Sequence, residues 1–65
     1  MNIKKNLQLA YQFFQQGKFN EALLALDKIL KKFPSHYEAL SNKAFIYIKQ
    51  ARMVDAEEIL KKIYN

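Results

Sequence analysis

Few side chains in this sequence could do covalent or metal chemistry: one histidine, His36, and three closely spaced carboxylates, Asp55, Glu57 and Glu58. A general acid–base site needs such a group oriented by a second one. His36 follows Pro34 and Ser35 with no cysteine and no clustered carboxylates beside it. It is expected to be a solvated turn residue. The three carboxylates fall where a helix should begin, and there they complement the positive end of its dipole without needing a bound ion. The chain has no cysteine, which excludes disulfides, a thiol nucleophile and zinc sites built on thiolates. The sequence therefore predicts no catalytic residue, no metal and no cofactor.

Recognition chemistry is better represented. Placing residues 3 to 16 about 100° apart puts Leu9, Ala10 and Phe13 in one apolar stripe and Leu7, Tyr11 and Phe14 in a second. Two stripes imply two contacts. A later helical stretch carries Glu38, Ser41, Asn42, Phe45, Ile48 and Lys49 on one arc, and Phe45 is the informative member. An aromatic on a polar arc is exposed unless something covers it. Either it anchors a partner or it folds back on Tyr11 or Phe14 to complete the core.

The chain also carries eleven basic against six acidic residues, a net charge of +5 that favours acidic partners. Lys28, Lys31 and Lys32 cluster near one expected helix end, and Lys61 and Lys62 near another. Phosphate binding by nucleic acid is one reading of these clusters. Solvated lysines complementing two helix C-termini are the preferred one.

These residues must be positioned by helices, because one glycine (Gly17) and one proline (Pro34) are the only strong breaks in 65 residues. The first helix is predicted from Ile3 to Gln16, with Gly17 as a corner. A second should begin at Asn20 as N-cap, bury Ala22, Leu23, Leu26, Ile29 and Leu30, and end at Lys31 and Lys32. Ser35 is expected to cap a third helix running to about Gln50, and Val54 or Asp55 to open a fourth with Ala56, Ile59, Leu60 and Ile63 on one side. No apolar run approaches the length of a membrane span. The N-terminal residues lack the apolar stretch and cleavage site of a signal peptide, so the chain reads as a cytoplasmic protein.

A step of 34 residues links Ala10 to Ala44, Phe13 to Tyr47, Gly17 to Ala51, Ala22 to Ala56 and Leu26 to Leu60. With Leu9, Ala10, Phe13, Ala22, Leu26 and Pro34 in one copy and Leu40, Ala44, Tyr47, Ala56 and Leu60 in the next, the chain resembles the tetratricopeptide repeat family. Asn6 departs from its opening large residue, Lys43 from its leucine, and Ala51 from its turn glycine. The resemblance implies an all-α fold rather than an ordinary four-helix bundle. It consists of two antiparallel helix-turn-helix hairpins stacked as a short right-handed α-solenoid of four helices. The expected division is a single domain over residues 1–65, with a first repeat at 3–34 and a second, C-terminally shortened one at 35–65.

It further implies that the first helices of the repeats line a concave groove, so that Leu7, Tyr11, Phe14, Asn42, Phe45, Ile48 and Lys49 are the candidate partner-binding residues. The segment Ser41-Asn42-Lys43-Ala44 is similar to one in chaperone-binding members, where an asparagine holds a peptide's terminal carboxylate. Leu7 and Tyr11 occupy two other positions of that clamp, so Asn42 is kept as a backbone-bonding residue only. The expected function is a non-enzymatic scaffold or adaptor that binds a partner peptide or helix in the groove. Homo-oligomerisation through the same apolar surface, with Tyr64 added to it, is the alternative.

Overall fold

The computed structural model describes residues 1–64 and consists of four α-helices. They are α1 (Ile3–Gln15), α2 (Phe19–Lys32), α3 (Tyr37–Lys49) and α4 (Met53–Tyr64). Among the described residues there is no strand, and no helix is long and apolar enough to cross a membrane. Asn65, the last residue of the expected second repeat, lies outside the described residues.

Each helix buries a narrow stripe against its neighbour. Ala10 on α1 and Ala22 on α2 lose nearly all contact with solvent, as do Ala44 on α3 and Ala56 on α4. A methyl group at each crossing lets two backbones approach closely, and larger side chains fill the space on either side. Leu26 and Ile29 are fully buried, while Phe13, Tyr47 and Leu60 are partly covered. The hairpins then pack through α2 and α3. Ala39 and Ile46 join the cluster that also holds Ala10, Ala22, Leu23 and Leu26, and Leu30 bridges to the second cluster around Leu40 and Ile59.

Both hairpins turn the same way. At the first, the Gly17 N–H donates to the Phe14 carbonyl (3.0 Å) and the Lys18 N–H to the Phe13 carbonyl (2.8 Å). At the second, the Ala51 N–H donates to Ile48 (3.0 Å) and the Arg52 N–H to Tyr47 (2.8 Å). This paired closure requires a left-handed residue just past the helix. Gly17 has φ +75° and Ala51 φ +59°. The alanine adopts the conformation of the glycine it replaces, with the penalty of a Cβ against its own backbone. The Arg52 guanidinium lies 4.5 Å from the Tyr47 ring centroid and donates to Asp55 Oδ2 at 2.8 Å, which ties the turn to both helices.

The helix starts differ from the sequence expectation. The α2 ladder begins with the Ala22 N–H on the Lys18 carbonyl, so Asn20 sits inside the first turn and is not the cap. The tight closure leaves no room for a later start, and Lys18 provides no side-chain cap. Ser35 does not cap α3 either. Phe33 to His36 form a turn around Pro34, with the His36 N–H on the Phe33 carbonyl, and this delays the helix by one residue. The half-buried His36 is the cap, its Nδ1 accepting from the Ala39 N–H at 3.2 Å. α4 opens at Met53 rather than at Val54 or Asp55, because its first bond runs from the Ala56 N–H to the Arg52 carbonyl.

Two stability predictions follow from these turns. Ala51→Gly should raise the unfolding free energy by about 1 kcal/mol, and Gly17→Ala, whose Cβ would meet no neighbour, should lower it by a similar amount. His36→Ala should cost about 1 kcal/mol, whereas Ser35→Ala should change little. Urea denaturation of the four variants measures each difference.

Candidate functional site

α1 and α3 face each other across a gap over α2, touching through Phe14 and Phe45, and the gap is lined mainly by apolar side chains. A cavity of about 180 Å³ opens there, lined by Ala10, Tyr11, Phe14, Leu26, Asn42, Phe45 and Ile46. Its floor reaches Leu26 and Ile46, which are buried core residues, while Tyr11 and Phe45 at its sides stay exposed, so a side chain entering it would be partly withdrawn from water. Beyond Tyr11 and Asn42 the cavity continues into a wider, open trough bordered by Leu7, Gln8, His36 and Glu38 among others.

Phe14 and Phe45 form one wall, and Phe19 backs Phe14 from outside the lining. Phe14 lies between Phe19, at 5.6 Å, and Phe45, at 5.3 Å between ring centroids, both tilted. Phe45 does fold back on Phe14, yet it stays 50% exposed and so still presents a face to the cavity. The Lys49 ammonium sits 5.8 Å from the Phe45 ring centroid, a cation–π contact that holds a positive charge at the edge of the apolar wall.

Two polar groups face this wall. The Tyr11 hydroxyl accepts from Gln15 Nε2 at 3.1 Å, which orients the ring on α1. The half-buried carboxamide of Asn42 makes no hydrogen bond to another described side chain or backbone group, leaving donors and an acceptor for a ligand's peptide group.

Of the residues predicted from sequence, Tyr11, Phe14, Asn42 and Phe45 meet at the cavity and Leu7 lies in the trough. Lys49 reaches the site through Phe45, whereas the exposed Ile48 lines neither space. Sequence reasoning missed the cavity floor of Ala10, Leu26 and Ile46, because those positions read as hairpin core. It also missed Lys4 and Gln8, which border the trough and share a face with Tyr11 by helical spacing alone.

Three ion pairs form among the charged side chains of the described residues. Lys43, which departs from the usual leucine, reaches across from α3 to Asp27 on α2 at 2.7 Å, with its own side chain mostly covered. It also lies 5.9 Å from the Tyr47 ring centroid. Its substitution for leucine therefore creates an ion pair between hairpins. Asp55 pairs with Arg52 and Glu57 with Lys61. Among the described residues, no group of three or more histidines, cysteines or carboxylates is placed to hold a metal.

Two stacked helical hairpins with a groove between their first helices define a helical-repeat interaction module. The family model for the tetratricopeptide repeat matches residues 13–63, and the chain belongs to that family, whose members are non-catalytic scaffolds for protein interaction. Comparison with curated proteins and comparison with solved structures each give no match.

The aromatic wall and the inter-hairpin pair make different stability predictions. Phe14→Ala should cost about 2 kcal/mol or more, since it removes a ring packed on both sides, and Phe45→Ala about 1 kcal/mol. A double-mutant cycle on Asp27→Ala and Lys43→Ala should return a coupling of about 0.5–1 kcal/mol that shrinks with added salt. Thermal or urea unfolding at low and high ionic strength checks both.

Proposed function

We propose that the groove between α1 and α3 holds a peptide segment of a partner protein, so that the chain acts as an adaptor rather than a catalyst. The observation that carries this reading is the 180 Å³ cavity, which is open to solvent, apolar to its floor and flanked by the two polar groups of Tyr11 and Asn42. Binding sites for apolar side chains have this composition, with a few polar groups fixing the ligand's orientation. One large aliphatic or aromatic side chain matches the volume. Phe14 and Phe45 supply its walls, and Leu26 and Ile46 its floor.

Asn42 would bond the ligand's main chain beside the anchor, and Leu7 would border the peptide where it runs into the trough. Lys49 would favour a carboxylate next to the anchor. The two hairpins act as one unit in this reading, because the cavity takes walls from both. Ile48 lies outside the cavity and has no part in the anchor site.

Selection of peptides from a random display library on the immobilised protein tests the proposal. Enriched peptides should share one large apolar residue. Titration of such a peptide should show affinity falling about tenfold in Asn42→Ala, the loss of a buried hydrogen bond, and at least as far in Phe45→Ala. Peptides bound equally well by both variants would contradict it.

A further inference from the structure

We propose that a helix of a partner polypeptide docks along α4 in the way that α3 docks along α2, and that it carries an acidic side chain where α3 carries Lys43. Burial that is complete in the first hairpin is reduced one 34-residue step later. Leu26 and Ile29 have no solvent exposure because α1 and α3 together cover α2. Leu60 and Ile63 stand at the same positions on α4, still apolar, and are only half-buried. Tyr64, at the position of the half-buried Leu30, is 78% exposed. On α3 the pattern recurs. Phe14 is covered by Phe45, whereas Ile48, its counterpart, is exposed. Ile48, Leu60, Ile63 and Tyr64 thus form an apolar strip along α4 and the end of α3 that is less covered than its counterpart in the first hairpin.

Charge states what that helix must carry. Asp27 on α2 receives the Lys43 ammonium at 2.7 Å, and it is the one ion pair between the hairpins among the described residues. At the position equivalent to Asp27, α4 has Lys61. A helix laid there with a lysine at the Lys43 position would set two ammonium groups against each other, whereas a carboxylate would restore the pair with its sign reversed. Lys61 now has only its own Glu57, 3.7 Å away and exposed like itself, and a contact of that kind holds it weakly.

The geometry of α3 on α2 fixes the rest of the pattern. Two residues after the acid, where α3 has Phe45, a large apolar side chain would cover Ile48. Three residues after it, where α3 has Ile46, another would lie on Leu60 as Ile46 lies with Leu26. A second copy of this chain fits poorly. Its α1 offers Leu9 at the position of Lys43, Gln12 at that of Ile46 and Lys5 at that of the fully buried Ala39. The partner helix is amphipathic and acidic at one central position, which α1 of this chain is not. The surface is separate from the cavity between α1 and α3.

The test uses the protein's own α3 as the probe. A peptide of residues 37–49 with Lys43→Glu, locked as a helix by a side-chain cross-link on its solvent face, is titrated into the 15N-labelled protein beside the unaltered peptide. The expected result is shifts along α4 and at Ile48, with the Lys43→Glu peptide binding about fivefold or more tightly, and a reversed preference in the Lys61→Glu protein. Phe45→Ala and Asn42→Ala, which test the groove, report on that site separately. Equal affinities, shifts confined to the cavity between α1 and α3, or no binding at millimolar peptide would overturn the proposal. So would self-association of the chain abolished by Lys61→Glu.

Discussion

Two alanine pairs set the distance between helices on which everything else depends. With Ala10 and Ala22 in one hairpin and Ala44 and Ala56 in the other all but removed from solvent, each pair of helices has only methyl groups at these buried positions. Close approach leaves room beside the crossing for one large residue from each helix, and it fixes how far the next hairpin is displaced. Because both hairpins also close through the same paired turn bonds, the second repeats the geometry of the first. A larger side chain at any of these alanines would push the helices apart and open the cavity floor along with the core.

The candidate site is a by-product of that displacement. α3 comes close enough to α1 for Phe45 to reach Phe14, but the aromatic wall stops short of filling the gap above Leu26 and Ile46. A protein of this size cannot spare much apolar area from its core, since short chains bury a smaller fraction of their surface. The half-exposed Phe45 therefore marks apolar surface invested outside the core. Lys43 shows a second local compromise. It gives up the leucine usual at its position and reaches Asp27 on the other hairpin, which helps fix the stacking register.

The fold was legible because Gly17 and Pro34 isolate the helices and the 34-residue step aligns alanines with alanines and large residues with large ones. Ala51 breaks the glycine pattern in sequence and keeps it in backbone conformation, which residue type alone would not show. The capping errors at Asn20 and Ser35 have a common cause. Preferred cap residues stood nearby, but the hydrogen bonds of the preceding turn decided where each ladder could begin, and His36 supplied an acceptor nitrogen instead. At the site, helical arithmetic places Leu7, Tyr11, Phe14, Asn42 and Phe45 on facing surfaces. It could not separate Ile48 from them, nor find Ala10, Leu26 and Ile46 beneath, because the offset between hairpins is a three-dimensional quantity. The pairing of Lys43 with Asp27 joins two helices and leaves no periodic trace.

In the proposed function the groove between α1 and α3 stands open for a different polypeptide. The most direct measurement is the solution mass by light scattering coupled to chromatography, over a wide concentration series. A folded monomer of 7.7 kDa is expected throughout. A stable dimer that Phe45→Ala returns to monomer would contradict it, because the aromatic wall would then already be occupied by a second copy of the chain.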